Sequence, residues 1–313
     1  MPEVVMIIGC QASGKSTLSK KYIEKGYHHL NRDKEGGKII DLMPKLESLI
    51  KNNKNVVLDN TFPTVDSRSV FIEVCRRNNV PINCIHVNTS IEDAQINALH
   101  RMYERYGKIF FDKEQLKEVK KDPNMFPVNV FFRYRKEFQK PSLDEGFNKL
   151  DTVKFSRKPY KYTKKAIVLD FDDTLREVVG GSFKYPVKKS EVSILNGRKQ
   201  KLQNALKDGY ILLGASNQSG IAKNHLTHES AIECFDHTCD LLGVKIEYKY
   251  CPHNVPPVDC YCRKPQSGML VHFIETHKLN PADCIFVGDA TSDKTAATRV
   301  GMQYQTPKEF FGS

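Results

Sequence analysis

Ala166-Ile167-Val168-Leu169-Asp170-Phe171-Asp172-Asp173-Thr174-Leu175 is the stretch that decides how this chain folds. Its four leading apolar residues form a run short enough for a buried parallel strand, and the run ends at the carboxylates of Asp170 and Asp172. Sheets of α/β domains build their sites at the carboxyl edge of the strands, which is where these acids fall. Two carboxylates at this spacing divide the work of phosphoryl transfer. One attacks phosphorus, the other gives and takes a proton, and a hard cation is shared between them. By itself, Asp-x-Asp-x-Thr also reads as a strand running into an acidic turn.

Three strand ends downstream narrow that choice. The apolar run 210–215 ends in Ser216-Asn217-Gln218-Ser219-Gly220, a small hydroxyl and a glycine entering a helix, which suits either phosphate binding or a helix cap. A third run, 246–250, leads into Cys251-Pro252-His253 and then Cys260-Tyr261-Cys262. Cys251, His253, Cys260 and Cys262 form a four-ligand set for a closed tetrahedral site, so the expectation is a structural Zn²⁺ ion. Lys264 follows at once, and its ammonium would offset the charge of the attacking carboxylate and of the phosphate. The run 284–287 ends in Gly288-Asp289, with Asp293 one helical turn later. Mg²⁺ needs only one or two direct carboxylates, and Asp170 and Asp289, with the main-chain carbonyl of Asp172, supply an oxygen set for it.

Upstream, the apolar run 4–8 is followed by Gly9-Cys10-Gln11-Ala12-Ser13-Gly14-Lys15-Ser16-Thr17 and a helical pattern. G-x-x-x-x-G-K-S between a strand and a helix is a P-loop in the right context. Its backbone N–H groups cradle the phosphates of ATP, Lys15 reaches the outer ones, and the Ser16 hydroxyl holds Mg²⁺. Asn31-Arg32-Asp33 comes after the short segment 27–30; Asp33 either takes a proton from an incoming hydroxyl or caps a helix-like segment running to about residue 52. The run 55–58 ends in Asp59-Asn60-Thr61, a second acidic strand end or a plain turn. Helix is expected over 67–78 and 91–105, and strand over 82–87 and 149–155. Arg101 and Arg105 share one face of the second helix, either closing on a phosphate or pointing to solvent. The charged segment 108–124 reads as a basic lid or a solvated helix, and 131–138 as an amphipathic helix on the core.

At 313 residues the chain has room for about two domains. The basic linker 156–164 places the division, giving a first domain of 1–157 and a second of 158–313. A net charge of +11 favours polyanionic partners, although a lysine-rich solvated surface has the same balance. Six of the nine cysteines are dispersed, which fits free thiols in a reducing compartment. No apolar run approaches the roughly 18 residues that span a membrane, and Met1-Pro2-Glu3 opens no signal-type segment. A soluble intracellular protein with no membrane partner is expected. The fold class is α/β: two three-layer domains with mainly parallel sheets.

The P-loop, Asn31-Arg32-Asp33, Asp59-Asn60-Thr61, Arg101, Tyr134-Arg135-Lys136 and Glu145-Gly146-Phe147 together resemble the kinase module of polynucleotide kinase–phosphatases over most of residues 1–155. That resemblance implies that Asp33 is the general base on a nucleic-acid 5′-hydroxyl and that Arg101 contacts the triphosphate. The segment from Tyr106 to Met125 departs from the family pattern. From Lys165 onward, the four strand ends resemble the haloacid-dehalogenase phosphatases. The Cys/His loop and Arg263-Lys264-Pro265 are similar to the zinc-containing histidinol-phosphate and heptose-bisphosphate enzymes. Gly288-Asp289-Ala290 and Thr306-Pro307-Lys308-Glu309-Phe310-Phe311 look equally like the phosphatase of the polynucleotide enzymes. The animal-type enzymes lack the zinc loop and place phosphatase before kinase, whereas the phage-type enzyme shares the order seen here.

The resulting expectation is a nucleic-acid end-healing enzyme. Its kinase carries Lys15, Asp33 and Arg101, and its phosphatase carries Asp170, Asp172, Ser216, Asn217 and Lys264. Mg²⁺ sits at Asp170, Asp172, Asp289 and Ser16. DNA stands ahead of RNA as the polymer, and a ligase receives the healed ends. Two other readings stay open: a small-metabolite kinase fused to a sugar-phosphate phosphatase, and a non-catalytic end-binding module.

Overall fold

The apolar residues of both central strands are buried on two faces, which is the pattern of a sheet covered on each side by helices. A computed structural model describes residues 1–255 and 257–312. The chain separates into two units: Met1–Ala98 with Lys121–Lys158, and Leu99–Lys120 with the chain from Pro159 onward. The second unit therefore takes in a stretch that lies in sequence between two parts of the first.

In the first unit, β1 (Val4–Ile8), β2 (His28–Leu30), β3 (Val56–Asp59), β4 (Ile82–Asn88) and β5 (Lys149–Lys154) form one parallel sheet in the order β2-β3-β1-β4-β5. Alternation along β1 sorts its side chains. Val4, Met6 and Ile8 pack beneath helices Leu42–Lys51 and Val65–Arg77, while Val5 and Ile7 face Leu18 and Tyr22 of helix Lys15–Ile23. Arg68, fully buried, ties the helix Val65–Arg77 to the turn before β5. It meets Glu145 through two bonds of 2.5 and 2.7 Å and donates to the carbonyls of Phe62 and Gln139.

Two expectations change here. The helix-like segment to residue 52 is broken: helix Arg32–Glu35 ends at Gly36 and Gly37, whose φ of 77° and 74° suit glycine, and helix Leu42–Lys51 starts afresh. The charged segment 108–124 is not a solvated helix. It holds only short turns at Lys113–Leu116 and Lys117–Val119, and it buries Ile109, Phe110 and Leu116.

In the second unit, β6 (Ala166–Leu169) is followed by a small antiparallel pair, β7 (Arg176–Val178) and β8 (Val192–Ile194). β9 (Ile211–Asn217), β10 (Glu247–Cys251), β11 (Ile285–Val287) and β12 (Gln303–Gln305) complete a parallel sheet of order β10-β9-β6-β11-β12. Leu169 pairs with Gly214 on one side and Val287 on the other, so the residues just beyond β6, β9 and β11 converge at one edge. Gly214 is required where it stands, because a Cβ there would run into the Phe171 ring. No helix among the described residues is long and apolar enough to cross a membrane.

Candidate active sites and metal centre

In the first unit the loop after β1 is built by close backbone approach. A Cβ on Gly9 would lie 2.7 Å from Ser13 Oγ and 2.9 Å from the Val87 carbonyl, and Gly14 enters the helix with φ of 100°. Lys15 Nζ donates to the carbonyls of Gly9 (3.0 Å) and Cys10 (2.7 Å), which holds the ammonium over the loop. Thr89 Oγ1 donates to the Ser13 carbonyl at 2.8 Å, and Asn97 Nδ2 donates to that of Ala12 at 3.0 Å, bracing the loop from outside. Gln11 is half-buried, while Ser16 and Thr17 are exposed on the first helical turn. Burial pushes the Cys10 thiol up to about 11, so it is an inert wall residue and not a nucleophile.

Asp59, at the tip of β3, joins this loop to Asn31-Arg32-Asp33. Its Oδ2 accepts from Ser19 Oγ at 2.6 Å and lies 3.4 Å from His29 Nε2. Burial alone would raise this carboxyl, but the bonds from His29 and Ser19 and the charge of Lys15 hold it below the ordinary carboxylate value. The Asp59 carbonyl accepts from Asn31 Nδ2, and Asn31 Oδ1 accepts from Asp33 N at 2.9 Å. Asn31, not Asp33, is therefore the helix cap. The Asp33 carboxylate is left exposed, with Arg32 at 2.7 Å as its partner. Arg101 lies four residues beyond Asn97 on helix Ile91–Tyr106, within the stretch grouped with the second unit.

In the second unit the chain leaves β6 and turns back on itself. Asp170 N donates to Val287 O at 2.9 Å, and Leu175 N donates to Phe171 O at 2.9 Å, through Asp173 at φ of 56°. The turn brings Arg176 against Asp172, Nε to Oδ1 at 2.8 Å. The guanidinium is buried between Phe171 and Phe235, with Nη1 donating to Thr238 Oγ1 at 3.0 Å. Asp172 Oδ2 accepts from Gln218 Nε2 at 2.7 Å, and the same amide donates to Ser216 Oγ at 3.0 Å. Both Asp172 oxygens are thereby fixed.

Lys264 is buried among acceptors: Asp170 Oδ1 at 3.0 Å, Asp293 Oδ1 at 2.8 Å and the Ala215 carbonyl at 2.7 Å. Asn217 clamps its backbone, exchanging bonds of 3.0 and 3.1 Å with the Lys264 N–H and C=O. Desolvation works against the ammonium, yet Asp170 and Asp293 raise it above its ordinary value. Burial, followed by repulsion from Asp293 and Asp172, pushes Asp170 up to about 7 despite Lys264. Asp289 is pushed upward too, by burial first and then by repulsion from Asp293 and Asp173. Asp170, Asp289 and Asp293 bring one oxygen each to within 4.8 Å of one another. Three converging carboxylates, two of them raised, are a donor set that fits a hard divalent cation such as Mg²⁺.

Cys251, His253, Cys260 and Cys262 also converge. His253 Nδ1 is 3.4 Å from Cys251 Sγ and 3.2 Å from Cys262 Sγ, and Cys251 Sγ is 3.7 Å from Cys260 Sγ. Ligands about 2.0–2.3 Å from a tetrahedral Zn²⁺ ion stand roughly this far apart, so the set fits that ion. His253 Nε2 lies 3.2 Å from Asp112 Oδ2, and Tyr261 N donates to Phe111 O at 2.7 Å. A carboxylate on the far nitrogen of a ligating histidine fixes its tautomer.

Several functional positions were missed from sequence alone. The sequence marks Asp293 only as a neighbour of Asp289, and its spacing of one turn is the available signal. Arg176, Gln218, Ser19 and Asp112 gave no local signal, because their partners are supplied by the fold.

Comparison with known proteins follows this division. Residues 165–311 match the family described as polynucleotide kinase 3 phosphatase, and residues 38–122 match an AAA domain. A bifunctional polynucleotide phosphatase/kinase of Schizosaccharomyces pombe is 33% identical over 173 residues, which is 55% of this chain and 36% of that protein. The chain thus spans about a third of that relative's length. A D-glycero-beta-D-manno-heptose-1,7-bisphosphate 7-phosphatase of Haemophilus influenzae is 33% identical over 145 residues, covering 42% of this chain and 74% of the relative. Among solved structures, a D,D-heptose 1,7-bisphosphate phosphatase from B. bronchiseptica, complexed with magnesium and phosphate, is 26% identical. It covers 45% of this chain and 79% of its own, with a TM-score of 0.41.

Proposed function

From a chain that belongs, through residues 165–311, to the polynucleotide kinase 3 phosphatase family and matches an AAA domain over residues 38–122, we propose a bifunctional nucleic-acid end-healing enzyme. It phosphorylates 5′-hydroxyl ends with ATP and removes 3′-phosphates, leaving the pair of ends a ligase joins. The observation that carries this reading is the Asp170–Asp172 pair, with each carboxylate held by its own partners.

In the phosphatase, Asp170 Oδ1 is engaged by Lys264 and by the Phe171 N–H at 2.9 Å, so Oδ2 is the attacking oxygen. It forms a bond to phosphorus as the bond to the 3′-oxygen breaks. Asp172 passes its proton to that leaving oxygen, then takes a proton from the water that hydrolyses the aspartyl-phosphate. Arg176 and Gln218 hold Asp172 in line for both transfers. Lys264 offsets negative charge on the group in transit, and Ser216 and Asn217 border it. Asp170, Asp289 and Asp293 would hold a Mg²⁺ ion, which when bound would supply positive charge against that of the phosphoryl group. In the kinase, the 9–17 loop cradles ATP, Lys15 neutralises the γ-phosphoryl, and Asp33 accepts the proton of the 5′-hydroxyl. Asp59, whose carboxyl is held below the ordinary carboxylate value, and Ser16 would hold a second Mg²⁺ ion on the kinase side.

The test is a pair of substitutions. Asp170→Asn should abolish release of phosphate from a 3′-phosphorylated oligonucleotide and leave 5′ phosphorylation intact, and Lys15→Ala should do the reverse. Loss of both activities in either variant would overturn the two-site assignment. A second reading, a sugar-phosphate phosphatase, draws on the heptose-bisphosphate relatives. Faster turnover of a heptose bisphosphate than of a 3′-phosphorylated oligonucleotide would favour it.

A further inference from the structure

Phe183 and Tyr185, on the loop joining β7 to β8, stack with His225 in an aromatic cluster that the proposed chemistry does not use. Tyr185 Oη and His225 Nδ1 are 2.9 Å apart, and Phe183 lies nearly parallel to both rings. Its centroid is 4.6 Å from His225 at 20° and 5.5 Å from Tyr185 at 10°. The bonded pair backs one side of Phe183, which nevertheless keeps 38% of its surface exposed. The loop is pinned at its base: buried Glu191 accepts from Val187 N at 2.9 Å through its side chain and from Val179 N at 2.9 Å through its carbonyl. A flat apolar ring is thus left partly exposed on a loop held at its base.

Its position ties it to the phosphatase site. Tyr185 packs so closely on Gly220 that a Cβ there would lie 2.6 Å from its hydroxyl. Gly220 stands two residues after Gln218, which holds Asp172. The Tyr185 phenol is raised by burial and then by the charge of Asp172, in keeping with that proximity. Around the ring the charge is positive: Lys184, Lys189 and Lys223 are exposed, and residues 179–190 include no acid.

We propose that the outward face of Phe183, backed by Tyr185 and His225, is a stacking platform for the base of the nucleotide that bears the 3′-phosphate. The neighbouring lysines follow the strand. A base offers a π-face whatever its identity, so the platform selects nucleotides over sugar phosphates without reading sequence. This rests on the nucleic-acid reading above.

The experiment crosses a protein change with a substrate change. Phosphate release is measured for the parent, Phe183→Ala and Phe183→Trp, on an oligonucleotide with a normal 3′-phosphorylated nucleotide and on one whose terminal sugar is abasic. With the normal end, Phe183→Ala should lower kcat/KM by roughly 5- to 100-fold, the loss of one stacked base, and Phe183→Trp should restore it. With the abasic end the parent should already be slowed by a similar factor, and Phe183→Ala should slow it little further. In Asp170→Asn protein, 2-aminopurine at the terminal position should be quenched on binding, and the added Phe183→Ala should relieve the quenching. Equal losses on both substrates would overturn the platform. A parent that releases no phosphate from the normal end, yet hydrolyses a sugar phosphate, would instead overturn the nucleic-acid reading.

Discussion

Lys264→Met tests how the proposed phosphatase site stores charge. The substitution keeps the side-chain length but removes the cation from between Asp170 Oδ1 at 3.0 Å and Asp293 Oδ1 at 2.8 Å. Asp293 is wholly buried and Asp170 nearly so, which leaves two carboxyls facing each other without a counter-ion. Breaking a buried pair from one side costs about 3–5 kcal/mol, and losing one preorganised charge from a transition state costs about 10²–10³ in rate. The pH dependence has a definite sign. Asp170 is pushed up to about 7, above its unfolded value, so its contribution is complete at low pH and is lost as pH rises through about 7. Lys264 opposes that rise, so its removal should hurt little near pH 5 and most near pH 8. The chain has no tryptophan, so urea unfolding followed by far-UV circular dichroism in EDTA is the measurement. A stability deficit that is flat or shrinks between pH 5 and 8, or a variant with near-parental phosphatase activity, would refute the reasoning.

Three further outcomes follow from other contacts. Asp33→Asn should lower 5′ phosphorylation by about 10²–10⁴ with little change in KM for ATP, measured by transfer of labelled phosphate. An unchanged rate would remove Asp33 from the role of base. Asp112→Ala should speed transfer of Zn²⁺ to a chromophoric chelator and weaken the site by about 10- to 100-fold, because His253 loses the carboxylate at 3.2 Å. Arg68→Met should cost about 3–5 kcal/mol in urea unfolding, since it strands Glu145 beside a fully buried guanidinium site. The double variant Arg68→Met/Glu145→Leu should recover much of that loss.

The parts of the fold that could be read from sequence are those where local pattern and local chemistry coincide. β1 and β6 are apolar runs that stop at a glycine loop or a carboxylate, and the stopping residue names both the strand end and its use. The Cys/His set is legible for the same reason: its four members fall within twelve residues and meet in space. Arg176 is the opposite case. In sequence it is one more cation after an acidic turn. In the structure it is buried on Phe235, with Thr238 as its acceptor, and that cradle comes from a helix some sixty residues later. Asp112 is hidden in the same way, since its partner His253 is 141 residues distant. The break at Gly36-Gly37 did carry a signal, the glycine pair, which the apolar periodicity on either side overrode. Lysine density over 108–124 likewise masked the buried Ile109, Phe110 and Leu116.

The placement of Leu99–Lys120 with the second unit limits how this protein can be dissected. A cut at the basic linker leaves the metal loop without Asp112 and Phe111, and a cut before residue 99 severs helix Ile91–Tyr106 in mid-run. Neither fragment would inherit an intact perimeter. Single-residue lesions, one per proposed centre, are therefore the sound way to study either proposed activity alone, and expression of half-chains is the unsound one.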